Sequence, residues 1–201
     1  MKRATAKSTG RRVQILRAAA GVFRRRGFPG ASVEEIARHL NMTKGNLYYY
    51  FRDKEEILYF CHDYSLDILL DLLREVERAR LPPRDRLRRL IVAFVHMIID
   101  ELAGTALTQD LQDLSRTHLR RVIAKRDRFD RGVRRVLEEG MADGSFARGD
   151  AKLLTFAMLG AVNWITRWFD PKGAATSQEI GEAFADYLLT GLGTGRPRGV
   201  R

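Results

Sequence analysis

The sequence predicts an all-α protein in two parts, a three-helix unit near the N-terminus and a longer helical domain behind it. Three observations predict this. Apolar residues recur at i, i+3, i+4 and i+7 through most of the chain, and no segment alternates with the two-residue period of a strand. Runs with a capping residue followed three places later by glutamate mark helix starts at Ser32-Val33-Glu34-Glu35, Asp53-Lys54-Glu55-Glu56 and Thr176-Ser177-Gln178-Glu179. Two short helical stretches near the N-terminus stand only three or four residues apart, which is helix-turn-helix spacing.

Taken in order, residues 1–8 form a flexible basic arm. Thr9 is placed to cap a first helix carrying Val13, Leu16, Ala19, Ala20 and Phe23, which Gly27 and Pro29 bring to an end. Ser32 starts a short helix with Val33, Ile36, Ala37 and Leu40 turned inward, Asn41-Met42 is the turn, and the next helix opens after Thr43 and closes before Arg52-Asp53. Residues 9–53 make up this first domain. From Lys54 a helix of about 25 residues follows the stripe Ile57, Cys61, Tyr64, Ile68, Leu72 and Val76 until Pro82-Pro83 stops it. Leu87, Leu90, Ile91, Phe94, Val95, Ile98 and Leu102 form a broad apolar helix; the pattern weakens around residues 104–115, where a short helix is expected. Leu119, Val122, Phe129, Val133, Val136 and Leu137 mark another long helix, ended by Gly140 and the Asp143-Gly144 turn.

Asp150 caps a segment running to Phe169 that is apolar nearly all round, and Thr176 starts a last helix with Ile180, Phe184, Tyr187 and Leu188. So much apolar surface exceeds what one small domain hides. These two helices are therefore expected to pair with copies of themselves, with Gly160 and Gly181 permitting close crossing. Residues 54–192 constitute the second domain, and residues 193–201 a disordered tail.

With 201 residues and 45% apolar content the chain can build a real core. Its formal charge is +11, but Lys2, Arg3, Lys7, Arg11, Arg12, Arg196, Arg198 and Arg201 supply eight of these charges from the two ends. Placement, not the total, must therefore identify an anionic partner. Cys61 is the only cysteine, which excludes an intramolecular disulfide or a cysteine metal cluster and fits a reducing cytoplasm. No export signal, membrane span or internal repeat is evident.

The most specific stretch is Thr43-Lys44-Gly45-Asn46-Leu47-Tyr48-Tyr49-Tyr50-Phe51. At about 100° per residue, Leu47 and Phe51 share one side of a helix, while Gly45, Tyr48 and Tyr49 project from the other with Asn46 on the flank. A run of exposed tyrosines costs solubility unless a partner covers it. Double-stranded DNA suits that face: rings pack on sugars or thymine methyls, hydroxyls bond phosphates, Asn46 bonds a base edge, and Gly45 lets the backbone come close. The competing account, a helix packed in a core, fits Lys44, Gly45 and Asn46 poorly.

This stretch with Lys54-Glu55-Glu56, in a three-helix unit followed by a longer helical region, resembles the TetR family of bacterial regulators over roughly residues 10–58. The resemblance implies a helix-turn-helix DNA-binding domain, a C-terminal ligand-binding and dimerisation domain, and a homodimeric repressor that leaves a palindromic operator when a small molecule binds. It places Lys44, Gly45, Asn46, Tyr48 and Tyr49 in the major groove and Ser32, Thr43, Tyr50 and Lys54 on phosphates. Ser32 and Thr43 open helices, where free N–H groups attract phosphate. Lys54 opposes the dipole of its helix, which a phosphate would explain. The run Gly160-Ala161-Val162-Asn163-Trp164-Ile165-Thr166-Arg167-Trp168-Phe169-Asp170-Pro171 is similar to regulators that sense acyl-CoA thioesters.

An acyl-CoA effector would lay its chain among Phe94, Met97, Phe156 and Trp164, beside Asn163, and its phosphates on Arg120, Arg121 or Arg167. Residues 116–135 hold nine basic side chains against Asp127 and Asp130; a solvated helix face accounts for them equally. Trp164 and Trp168 share a face that suits core packing, dimer packing or ligand lining. Cys61 and His62 diverge by about 100° on their helix and read as core residues, not as a nucleophile and base. His39, His62, His96 and His118 lack paired metal-ligand spacing, so neither metal nor cofactor is expected. Two functions stay open on the residues alone: a ligand-responsive DNA-binding repressor, and a helical small-molecule sensor or thioester-processing enzyme without specific DNA binding.

Overall fold

In the computed structural model, residues 6–101 and 111–193 are described, and among them eight α-helices and no strand occur. Helix α1 (Ala6–Gly30) buries Ile15, Leu16, Ala19, Ala20, Val22 and Phe23. It starts before Thr9, so residues 6–8 are helical rather than part of an arm and Thr9 lies inside the helix instead of capping it. Gly27, at φ 67° and ψ 164°, kinks the helix ahead of Pro29, a conformation that a β-carbon would strain. Helix α2 (Val33–His39) is capped by the Ser32 side chain, which accepts from the Glu35 N–H; the Glu35 carboxylate instead faces Arg26 at 3.9 Å. Asn41 takes the left-handed conformation, φ 50°, that turns the chain into α3 (Lys44–Tyr48), capped by Thr43.

Helix α4 (Lys54–Arg78) has the expected length and buries more than the expected stripe. Leu58, His62, Ser65, Leu66, Leu69, Leu70 and Leu73 are buried as well, whereas Tyr64, Ile68 and Leu72 are half-buried. The reason is that α4 has neighbours on several sides, α1 near its start and α5 and α6 further along. Helix α5 (Pro83–His96) continues into a π-helical turn (Met97–Glu101); Leu102 lies outside the described residues. A short 3₁₀ turn (Leu111–Asp113) precedes α6 (Arg116–Ala142). Helices α4 and α6 approach closely where a β-carbon on Gly132 would overlap Leu73.

Helix α7 (Ala151–Trp168), capped by Asp150, buries Ala151, Thr155, Met158, Val162 and Ile165 and leaves Leu153, Phe156, Trp164 and Trp168 exposed. Helix α8 (Ser177–Gly191) opens with a reciprocal box in which Thr176 and Glu179 cap each other's backbone. It packs along α5, and a β-carbon on Gly181 would stand 3.3 Å from the Val92 Cα, so this glycine serves contact within the subunit rather than a crossing between copies. Gly160 faces open space. Among the described residues no helix is long and apolar enough to cross a membrane.

Candidate nucleic-acid interface and effector cavity

Helix α3 is anchored by Leu47 and Phe51, both buried. Its α-helical part ends at Tyr48, and Tyr49–Phe51 continue as a turn in which the Tyr50 and Phe51 N–H groups donate to the Leu47 carbonyl. The opposite face carries Lys44, Gly45 and Asn46, all exposed, with Tyr48 at 42% and Tyr49 at 85% exposure. Tyr50 is half-buried, packs against the core and meets the Tyr49 ring edge-on at 5.2 Å. A β-carbon on Gly45 would meet only the Thr43 Oγ1, at 3.9 Å, and nothing in the fold requires a glycine there. Thr43 Oγ1 accepts from the Asn46 N–H at 3.2 Å, and Lys44 pairs with Glu34 of α2, a contact that raises the lysine pKa and bridges the two helices.

Lys54 has a role that sequence reasoning missed. Its Nζ donates to the carbonyls of Phe28 at 2.6 Å and Ala31 at 2.9 Å, with Pro29 at 3.4 Å, and lies 4.3 Å from the centre of the Phe28 ring. The ammonium therefore satisfies carbonyls that the Gly27 kink leaves exposed, which accounts for a cation in a first helical turn without any phosphate. Arg12 lies over the Phe51 and Phe60 rings, 4.6 and 4.7 Å from their centres, and joins α1 to the far side of α3 and α4.

A cavity of about 470 Å³ lies between α4, α5, α6 and α7. Leu66, Leu69, Phe94, Phe129, Phe156 and Leu159 make its apolar walls, and His62, Arg126, Asp127, Asp130 and Asn163 its polar ones. Of the residues expected around an effector, Phe94, Phe156 and Asn163 line it. Met97 is buried outside the lining, and Trp164, 63% exposed, points away from it. Arg167 borders a separate surface cleft with Arg24, Phe169 and Asp170. Arg120 and Arg121 are exposed on another side of α6, the first donating to the Arg116 carbonyl, the second near the Tyr59 hydroxyl.

Three of the nine basic side chains of residues 116–135 are matched by acids of the same chain. Lys125 reaches Asp63 at 2.6 Å and Asp67 at 2.7 Å, Arg134 pairs with Asp130, and Arg135 with Glu77. Arg126 and His62 entered no expected ligand set, yet a signal for them exists: Arg126 interrupts the stripe Val122, Phe129, Val133, and His62 stands four residues from Leu58 and Leu66. The start of α4 also meets the start of α6. Glu55 accepts from the Ser115 N–H at 2.9 Å and contacts His118 Nδ1 at 2.8 Å, while the His118 ring stacks on Tyr59 with centroids 3.9 Å apart.

Cys61 is buried, and burial pushes its pKa up to about 12, far from the range of a reactive thiol. Among the described residues no group of three His, Cys, Asp or Glu side chains is placed to hold a metal ion.

Residues 15–59 match the family described as bacterial regulatory proteins, tetR family, and residues 80–192 the tetracyclin repressor-like C-terminal domain. The chain is 29% identical over 196 residues to the HTH-type transcriptional repressor KstR2 of Mycobacterium tuberculosis, covering 96% of this chain and 98% of the relative. The solved structure of the ketosteroid transcriptional regulator KstR2 superposes with a TM-score of 0.83 at 25% identity, covering 95% of this chain and 99% of that one. PfmR, a TetR family regulator from Thermus thermophilus, gives 0.78 at 32% identity, covering 90% and 99%. AibR in complex with isovaleryl coenzyme A and operator DNA gives 0.74 at 26% identity, covering 91% and 98%.

Proposed function

Because this chain belongs to the TetR family of bacterial regulatory proteins, whose members are DNA-binding regulators and not enzymes, we propose that it is a homodimeric repressor that leaves a palindromic operator when an acyl-CoA enters the cavity between α4 and α7. The observation that carries this reading is the shared element. Helix α4 begins three residues after Phe51, which anchors the DNA-reading face, and supplies His62, Leu66 and Leu69 to the cavity wall. Residues 9–53 are the DNA-binding domain, extended at its start by the first turn of α1, and residues 54–192 the effector and dimer domain. The protein acts in the cytoplasm.

Lys44, Gly45, Asn46, Tyr48 and Tyr49 enter the major groove, Lys44 exchanging Glu34 for DNA. The Ser32 and Thr43 hydroxyls accept from their own helices and keep a proton to donate to phosphate, and Tyr50 reaches a phosphate at the margin. Lys54 supports the domain from behind. Leu153, Trp164 and Trp168 of α7 and Tyr187 of α8 give the apolar surface for a four-helix interface between two subunits. Two recognition helices then lie about 34 Å apart, one turn of DNA.

The acyl-CoA reading rests on a cavity in the ~300–1,000 Å³ range of small-molecule sites, with mostly apolar walls, and on likeness to a regulator solved with isovaleryl coenzyme A. Each CH₂ buried contributes about 0.8 kcal/mol. To release DNA, the ligand must prefer a conformation in which α4 no longer holds the two α3 helices in successive grooves; tight binding without that preference changes nothing. The test takes duplexes selected by the protein from random fragments and titrates their complexes with free fatty acids, CoA and acyl-CoAs of several lengths. Release by acyl-CoA alone is expected. Release only by an unphosphorylated compound would end the CoA reading and leave the repressor reading standing.

A further inference from the structure

The cationic side chains of α6 differ in one respect that bears on the cavity. Lys125, Arg134 and Arg135 each pair with an acid of this chain, and Arg120 and Arg121 face away. Arg126 alone among them lines the cavity, and among the described residues it forms neither a hydrogen bond nor an ion pair. It stands half-buried on the inward stripe of α6, four residues after Val122 and three before Phe129, both buried. Of the two acids lining the same space, Asp130 is taken by Arg134, and Asp127 is exposed at the rim and attracts Arg126 only at a distance. The other polar walls, His62 of α4 and Asn163 of α7, bring no negative charge.

A guanidinium held among phenylalanines and leucines loses hydration that nothing among the described residues replaces, and this desolvation lowers its pKa from the usual arginine value. A carboxylate or phosphate oxygen pair matches its planar fork and returns the lost hydrogen bonds in a medium where they are strong. We propose that Arg126 is the specificity-determining residue of the cavity, which takes an apolar body bearing an oxyanion at the Arg126 end and discriminates against neutral hydrophobes of the same size. This rests on the reading of the cavity as the effector site. The oxyanion is either a free carboxylate or a phosphate of the CoA moiety, and the two are separated below.

The full-length protein is titrated calorimetrically with decanoate, decanoyl-CoA and methyl decanoate, which share one apolar body, and operator release is measured with the same three compounds. The wild-type protein is expected to bind at least one of the anions roughly ten- to a hundredfold more tightly than the methyl ester, the range of a charge-assisted hydrogen-bond pair. Preference for decanoate identifies a carboxylate; preference for decanoyl-CoA identifies a CoA phosphate. Arg126→Gln is expected to abolish the margin while methyl decanoate binding persists, and Arg126→Lys to keep part of it. Where the glutamine variant fails to fold, a reduced margin in Arg126→Lys supports the assignment and an undiminished one overturns it, as does equal affinity in the wild-type comparison. Equal affinity for ester and anions, or an unchanged preference in Arg126→Gln, overturns the assignment. If methyl decanoate releases the operator as well as the anions do, the cavity is the effector site and the role of Arg126 falls; if none of the three binds, both fall.

Discussion

The Lys54 ammonium donates to the Phe28 carbonyl at 2.6 Å and covers the Phe28 ring, so a single side chain closes the kinked end of α1 against the start of α4. Lys54→Ala is therefore expected to destabilise the fold, by about 1–3 kcal/mol for loss of a charged donor to partly buried carbonyls. Urea unfolding measures this. Binding to operator and scrambled duplex should weaken together, since the α1–α4 frame carries α3. An unchanged unfolding midpoint with weakened DNA binding would make Lys54 a phosphate contact instead.

Gly45 has room for a methyl group in the free protein, whose only neighbour would be Thr43 Oγ1 at 3.9 Å. Gly45→Ala should thus raise stability, by roughly 0.5–1 kcal/mol for a helical glycine replaced by alanine. Operator affinity should fall in the same variant, because the added carbon stands where the backbone approaches DNA. A variant that is stabilised and binds the operator as before would show that α3 does not come close at Gly45.

Asn46→Ala should relax discrimination between operator and scrambled duplex without changing the unfolding midpoint. A lost base-edge bond costs about 1–3 kcal/mol on the correct sequence and little on others. Equal loss on both duplexes would assign Asn46 to the DNA backbone.

Trp164 is 63% exposed and Leu153 likewise, on a helix whose other side is packed. Glutamate at either position should drive the chain to monomer in sedimentation at micromolar concentration and abolish palindrome binding, while helical content by circular dichroism is kept. A wild-type monomer under those conditions would remove the proposed four-helix interface.

His96 binds the end of α5 to the start of α8: its Nδ1 lies 2.9 Å from Asp100 Oδ2 and 3.1 Å from Ser177 Oγ, and its Nε2 2.8 Å from Gln178 Oε1. The bond to Asp100 chiefly, then that to Gln178, and the charges of Asp100 and Glu182 raise its pKa above the ordinary 6.5, against some desolvation. A raised folded-state value means stabilisation that is complete below pH 6.5 and lost as pH climbs through the folded pKa. Unfolding free energy should accordingly fall as pH rises above 6.5, and Asp100→Asn should flatten that slope. An identical slope in the variant would place the titration elsewhere.

Much of this molecule was legible because local rules and global packing agree. Capping residues set the starts of α2, α3, α4, α7 and α8, since a side-chain oxygen meets an N–H two or three residues away whatever lies beyond. The face of α3 was legible for the same reason, as Leu47 and Phe51 recur at a spacing that leaves Gly45, Tyr48 and Tyr49 on the other side. Thr9 misled because a capping residue does not start a helix when the preceding residues are helical too.

What the sequence by itself determined is which helices form and which side of α3 is free, because both follow from contacts within a few residues. Tertiary structure alone decided the partners of side chains whose neighbours come from distant segments. Lys54 meets carbonyls 23 to 26 residues away, and Gly181 lets α8 onto Val92 rather than onto another subunit. Arg126 became distinctive only when Lys125, Arg134 and Arg135 were seen to take the nearby acids. The physical reason is common to all three: a helical stripe records that a side chain turns inward, and only the packing of several helices decides what stands opposite it.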